Sequence, residues 1–162
     1  MTREHPQAVL LGRALEARGW QAATAESCTA GLVAGAITDV AGSSGWFDRG
    51  FVTYSNDAKE SMLGVSRALL AAHGAVSEET ARAMVDGALA RSRADVAVAI
   101  TGIAGPGGAT PGKPVGMVCF AFARRGAATH SFTRQLAGDR ADVRAASVDI
   151  ALEGLLRLAL EP

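Results

Sequence analysis

The run Val96-Ala-Val-Ala-Ile100 constrains the fold more than any other part of this chain. It is short, unbroken by polar residues and rich in β-branched side chains, the pattern of a strand buried on both faces. Such a strand needs helices on either side of its sheet, as parallel and mixed sheets have. Asp95 to Ile103 is therefore read as a central strand. It runs directly into Thr101-Gly-Ile-Ala-Gly-Pro-Gly-Gly-Ala-Thr-Pro-Gly112, a long Gly/Pro loop.

The flanking segments supply the layers. Gln7 to Ala17 reads as a helix with Val9, Leu10, Ala14 and Leu15 on one side and Arg18-Gly19 as its exit. Trp20 to Glu26 can be extended, and Leu32, Val33, Ala36, Ile37 and Val40 form the stripe of an amphipathic helix. Ala41 to Gly45 is a turn by composition, and Phe47 to Ser55 fits a strand. Asn56-Asp57 can cap a short helix through Met62, closed by Gly64, and Ser66 to His73 forms another. Ser77-Glu78-Glu79 opens a helix to about Arg93, with Ala81, Met84, Val85, Ala88 and Leu89 inward. Val115 to Arg124 and Thr129 to Leu136 pair as a hairpin, and Asp139 to Leu160 is one long helix. The expectation is an α/β fold: a three-layer α/β/α sandwich with a mixed sheet, formed by residues 1–162 as a single domain. At 162 residues the chain can bury a sizeable core, built mainly from Ala, Val, Leu and Ile because aromatics are only 5%.

Charge and cysteine usage exclude some function classes. A net charge of +0 argues against a broad nucleic-acid-binding surface. Two cysteines, a polar start (Met1 to Pro6) and no apolar run near 18 residues suggest a cytoplasmic protein with reduced thiols and no membrane span.

Three segments collect reactive groups: Ser27-Cys28-Thr29, Tyr54-Ser-Asn-Asp-Ala-Lys59 and the glycine loop. Each begins at the C-terminal end of an expected strand, where sites gather in open α/β sheets. Parallel neighbouring strands would make them converge. Ser27, Cys28 and Thr29 stand where a strand hands over to a helix, so they read as a nucleophile beside an oxyanion hole, a phosphate cradle or a plain N-cap. A serine hydroxyl needs a base, and a desolvated lysine can be one. Only Lys59 and Lys113 among 16 basic residues are lysines, in a composition that reads as GC-rich coding. Retention of Lys59 as Lys suggests a need for a losable proton, which Arg lacks; the alternative is a solvated surface lysine. Tyr54, the single tyrosine, could relay a proton or serve as a core aromatic. His5, His73 and His130 all fall outside these segments, so a Ser-His-Asp triad has no obvious histidine. Cys28 is a rival nucleophile, whereas Cys119 lies inside a β-run and reads as an inert packed thiol. The glycine loop matches neither a P-loop nor a dinucleotide fingerprint. Arg140 and Arg144 lie four apart in the first turns of the last helix, against its dipole. An anionic ligand would favour them there; the alternative is pairing with Asp139 and Asp142.

Ala25-Glu-Ser-Cys-Thr-Ala-Gly31, Gly50-Phe-Val-Thr-Tyr-Ser-Asn-Asp-Ala-Lys59, Ala75-Val-Ser77, Ala99-Ile-Thr-Gly-Ile-Ala-Gly-Pro-Gly-Gly108, and Gly138-Asp-Arg140 with Arg144, together resemble the competence-damage-inducible CinA C-terminal domain family. The resemblance covers nearly the whole chain. It implies hydrolysis of the carboxamide of nicotinamide mononucleotide (NMN) to nicotinate mononucleotide and ammonia, without metal or cofactor. It implies Ser27 as nucleophile, Lys59 as base and Tyr54 assisting. Thr29, Gly31, Thr101, Gly102, Gly105, Gly107, Arg140 and Arg144 are then the candidates for substrate binding. The partner is a small molecule, and a homodimer is compatible with the resemblance. Two alternatives stay open: an amidase acting on another small amide, and a catalytically silent pyridine-nucleotide-binding regulatory module. Ala30 departs from the family pattern, where many members have a second glycine; a small residue there should be tolerated.

Overall fold

A computed structural model describes residues 3–162; Met1 and Thr2 of the polar start lie outside them. In chain order the elements are α1 (Pro6–Arg18), β1 (Ala22–Glu26), α2 (Leu32–Thr38), β2 (Phe47–Val52), α3 (Asn56–Leu63), α4 (Arg67–His73), α5 (Glu78–Ala90), β3 (Val96–Gly102), β4 (Met117–Arg124), β5 (His130–Gln135) and α6 (Arg140–Leu160), with a single 3-10 turn at Ser43–Gly45. The five strands form one mixed sheet in the order β2-β1-β3-β4-β5. β1 is parallel to both β2 and β3, while β4 and β5 run antiparallel.

Strand alternation separates two cores of different texture. Val96, Val98 and Ile100 of β3, with Val118, Phe120 and Phe122 of β4, face α1, α2 and α6. The opposite face carries Ala97, Ala99, Ala121 and Ala123 and packs on Ala81, Met84, Val85 and Ala88 of α5. Large side chains on one face and alanines on the other let α5 approach the sheet closely, whereas α6 rides on the bulkier surface. Each fully buried Leu, Ile or Phe here contributes about 1.5–3 kcal/mol, so this two-sided core is what holds the strand ends in place. Where α6 crosses Phe122 it has Gly154; a Cβ there would stand 2.0 Å from the ring.

Most element ends follow local chemistry. The His5 ring accepts the Gln7 amide at the start of α1, and Ser55, Ser66 and Ser77 cap α3, α4 and α5. Asp139 and Asp142 form a capping box on α6. Two expected element ends moved by about three residues. β2 ends at Val52 rather than Ser55, because the chain turns there into the Ser55 cap, and α5 ends at Ala90 rather than near Arg93.

The parallel register sets up the site. Glu26 at the end of β1 pairs with Val52 on one side and Ile100 on the other. The residues that follow, Ser27 and Thr53-Tyr54, therefore leave the sheet at this end, beside Thr101 and Gly102 at the end of β3. Among the described residues no helix is long and apolar enough to cross a membrane.

Candidate active site

The Ser27 turn is built around a buried acid. The Ser27 amide extends the β1–β3 ladder to Ile100 O at 2.9 Å, and the Ser27 carbonyl then accepts the Ala30 amide at 3.0 Å. Ala30 (φ 44°) and Gly31 (φ 93°) both adopt left-handed backbone before α2 begins at Leu32. Glu26 is fully buried and caps this helix from the preceding strand. Its Oε1 accepts from Thr29 Oγ1 at 2.7 Å, Gly31 N at 3.1 Å and Val33 N at 2.9 Å, and its Oε2 from Ala34 N at 3.0 Å. A helix opening at Thr29 with Thr29 as its cap is thus corrected. The two left-handed residues put the N-cap at Gly31, two positions later, and Glu26 takes the Gly31 amide that a Thr29 side-chain cap would have met.

Lys59 approaches from the other side. Capping of α3 by Ser55, which accepts the Ala58 amide at 3.0 Å, turns Lys59 inward. Its Nζ donates to Ser27 Oγ at 2.9 Å and to Thr53 O at 2.7 Å, and the side chain is only 1% exposed. Burial pushes the ammonium down to about 8, against a weaker opposing influence of Cys28. The neutral amine is thereby easier to reach near neutral pH than for a solvated lysine, and it stands in hydrogen-bond contact with the serine hydroxyl. Cys28 is buried too, but burial drives its thiol up to about 11 despite its own amide and Arg144. At neutral pH it is a thiol, whereas the Ser27 hydroxyl stands in hydrogen-bond contact with an amine of lowered proton affinity.

These groups open into a cavity of about 250 Å³, lined by Ser27, Cys28, Tyr54, Asn56, Lys59, Ala75, Val76, Thr101, Gly102, Ala104 and Arg140. The three reactive segments do meet. Tyr54 is 62% exposed rather than a core aromatic, and its hydroxyl accepts from Arg140 Nη2 at 3.2 Å. Arg140 Nη1 donates to Gly105 O at 2.8 Å, tying the start of α6 to the glycine loop. The Asp139 and Asp142 carboxylates take amides of their own turn, and neither pairs with Arg140 or Arg144 among the described residues. Thr101 Oγ1 donates to Ala75 O at 2.7 Å and so pins the Ala75-Val76 wall.

Other expected site residues stand back from the cavity. Arg144 Nε donates to Cys28 O at 3.0 Å and braces the serine turn from behind. Thr29 and Gly31 are spent on Glu26, Gly105 takes part through its carbonyl, and Gly107 is exposed on the loop. The second scarce lysine, Lys113, donates to His73 O at 2.5 Å, away from this cavity. Asn56, Ala75, Val76 and Ala104 were missed as lining residues. The Ala75-Val-Ser77 motif was a signal without an assigned role, and Asn56 read only as a helix start. A larger cavity of about 350 Å³ between β5 and α6 gathers Phe122, Phe132 and Ile150 but no serine, cysteine or lysine. Among the described residues no group of three or more His, Cys, Asp or Glu is placed to hold a metal ion.

The sequence profile of the CinA C-terminal domain matches residues 4–159. The chain belongs to this family. A nicotinamide-nucleotide amidohydrolase PncC of Enterobacter agglomerans is 51% identical over 155 residues, which are 96% of this chain and 94% of that protein. A competence-damage inducible protein of Symbiobacterium thermophilum is 58% identical over 163 residues, but the chain spans only 38% of its length. The solved competence damage-inducible protein A of Klebsiella pneumoniae superposes with a TM-score of 0.92 at 42% identity, over 96% of this chain and 97% of that one. The α/β architecture of this CinA domain is therefore that of its solved relatives.

Proposed function

We propose that residues 1–162 act as one amidase domain, hydrolysing the carboxamide of NMN to nicotinate mononucleotide and ammonia by a serine/lysine mechanism. The observation that carries the chemistry is the buried 2.9 Å contact between Lys59 Nζ and Ser27 Oγ at the cavity wall. Support for the substrate comes from the near full-length relative named as a nicotinamide-nucleotide amidohydrolase.

Neutral Lys59 accepts the Ser27 proton as Oγ bonds to the amide carbon, and Thr53 O holds the amine in position. Negative charge then develops on the carboxamide oxygen. The amides that open α2 are taken by Glu26 and Thr29 O, which leaves the amide following the nucleophile, that of Cys28, and the Gly102 backbone to meet it. Lys59 returns its proton to the departing nitrogen, with Tyr54 assisting, and ammonia leaves an acyl-serine. Water, deprotonated by Lys59, cleaves that ester and releases the carboxylate and Ser27. Arg140 uses two of its five N–H donors on Gly105 and Tyr54 and has others to offer the 5′-phosphate.

The test is purified protein with NMN, reading ammonia and nicotinate mononucleotide, beside Ser27→Ala. Turnover by the wild type and none by the variant is expected. Normal ammonia release by Ser27→Ala would overturn the mechanism. NMN that binds, by thermal shift, without being hydrolysed would overturn the activity in favour of a regulatory binding module.

A further inference from the structure

We propose that Glu26 is a positioning residue for the nucleophile: its buried carboxylate shapes the turn that holds Ser27 Oγ against Lys59. The inference rests on Ser27 being that nucleophile. A fully buried carboxylate is retained only with dense hydrogen bonding, and Glu26 accepts four, all from residues 29–34. Those donors span the whole turn that Ser27 begins. The turn includes Ala30 in left-handed backbone, a conformation that surrounding contacts must enforce.

The Glu26 main chain reaches the base as well. Glu26 O accepts the Thr53 amide at 2.8 Å, Thr53 O accepts Lys59 Nζ at 2.7 Å, and Lys59 Nζ meets Ser27 Oγ at 2.9 Å. Ser27 follows Glu26 by one peptide bond, so a ring of three hydrogen bonds closes on a single residue. A shift of the Glu26 side chain moves the hydroxyl relative to an amine that the same residue anchors. The carboxylate also fills the N-terminus of α2, turning its amides away from substrate. None of the Glu26 donors lines the cavity, so the residue acts on the geometry of attack and not on binding.

Glu26→Gln keeps the size of the side chain but replaces one acceptor with a donor, against three amides that can only donate and one hydroxyl. The expected result is a kcat for NMN lowered about 10- to 100-fold with KM within about threefold, the signature of a displaced attacking group. The rate at which a fluorophosphonate phosphonylates Ser27, forming an Oγ–P bond with loss of fluoride, falls by the same factor. That probe contains no pyridine nucleotide, so it reads positioning whatever the substrate is. Thr29→Val, which removes one of the four donors, gives the same pattern at about two- to fivefold and serves if Glu26→Gln does not fold. Ser66→Ala, which strips the α4 cap, lowers the melting temperature and leaves kcat alone. Folded Glu26→Gln or Thr29→Val with kcat and labelling rate unchanged from wild type would overturn the proposal. A wild type that neither hydrolyses NMN nor labels at Ser27 would instead overturn the assignment of the nucleophile.

Discussion

Lys59 Nζ lies 2.9 Å from Ser27 Oγ although 32 residues separate them in the chain. Two parallel neighbours, β1 and β2, deliver the pair: one residue follows β1 directly and the other sits in the helix after β2. The amine is dry because that helix is pressed onto the sheet edge, and dryness is what lowers its proton affinity.

That gives a pH signature. kcat/KM should rise with pH from 6 and level off above about 8 as Lys59 loses its proton. The same burial costs stability. The drop from 10.5 to about 8, at 1.36 kcal/mol per pH unit, is about 3 kcal/mol. The unfolded chain binds more protons between those values, so the penalty is complete below about pH 8 and gone near 10.5. Lys59→Met should therefore be inert yet more stable at pH 7, by about 2 kcal/mol once the orphaned Thr53 carbonyl is allowed for. Denaturant melts from pH 7 to 10.5 should show that advantage shrinking.

Cys28 should be dispensable for covalent chemistry. Cys28→Ala is expected to keep kcat within about fivefold of wild type, the modest loss reflecting an altered cavity wall. Iodoacetamide at pH 7.5 should alkylate this thiol more slowly than a free cysteine, because its proton affinity is raised and it is only 7% exposed. Mass spectrometry of the alkylated peptide reads this directly.

If Arg140 holds the phosphate, its loss should be felt by NMN and not by the riboside that lacks a phosphate. Arg140→Ala is expected to raise KM for NMN at least about tenfold and to erase most of the preference for NMN over nicotinamide riboside. Steady-state kinetics with the two substrates provide the measurement. A loss shared equally by both would assign Arg140 to holding Tyr54 and the glycine loop.

Ala30 carries a strain that a glycine would not. Left-handed backbone costs an alanine about 1 kcal/mol more than glycine. Ala30→Gly should raise the melting temperature by about 2–4 °C in calorimetry.

The layered fold was readable because its signals were local: a β-branched run for β3, serines at helix starts, apolar stripes at helical spacing. Ser27, Lys59 and Tyr54 could be singled out because each follows a strand and because lysine is so scarce. The work done by Glu26 could not be read, since three of its four partners are main-chain amides, which carry no side-chain signal. Arg144 shows the same limit. Its four-residue spacing from Arg140 suggested a shared anion, yet one turn further along α6 it reaches the carbonyl of Cys28. Tyr54 read equally well as a core aromatic, and only the position of the sheet edge distinguishes the two.

The β4–β5 hairpin turns at the end of the sheet away from the cavity: Arg124 pairs with Val96 at the start of β3, whereas the site lies beyond its far end. Gly126, Ala127 and Ala128 are exposed there, and Arg125 clamps the turn to the carbonyls of Leu89 and Ala94. The candidate site and this turn thus lie at opposite ends of the sheet. A tag inserted at 126–128 and fixed to a sensor surface would leave the cavity mouth facing the solution, which makes this turn the natural handle for immobilising the protein.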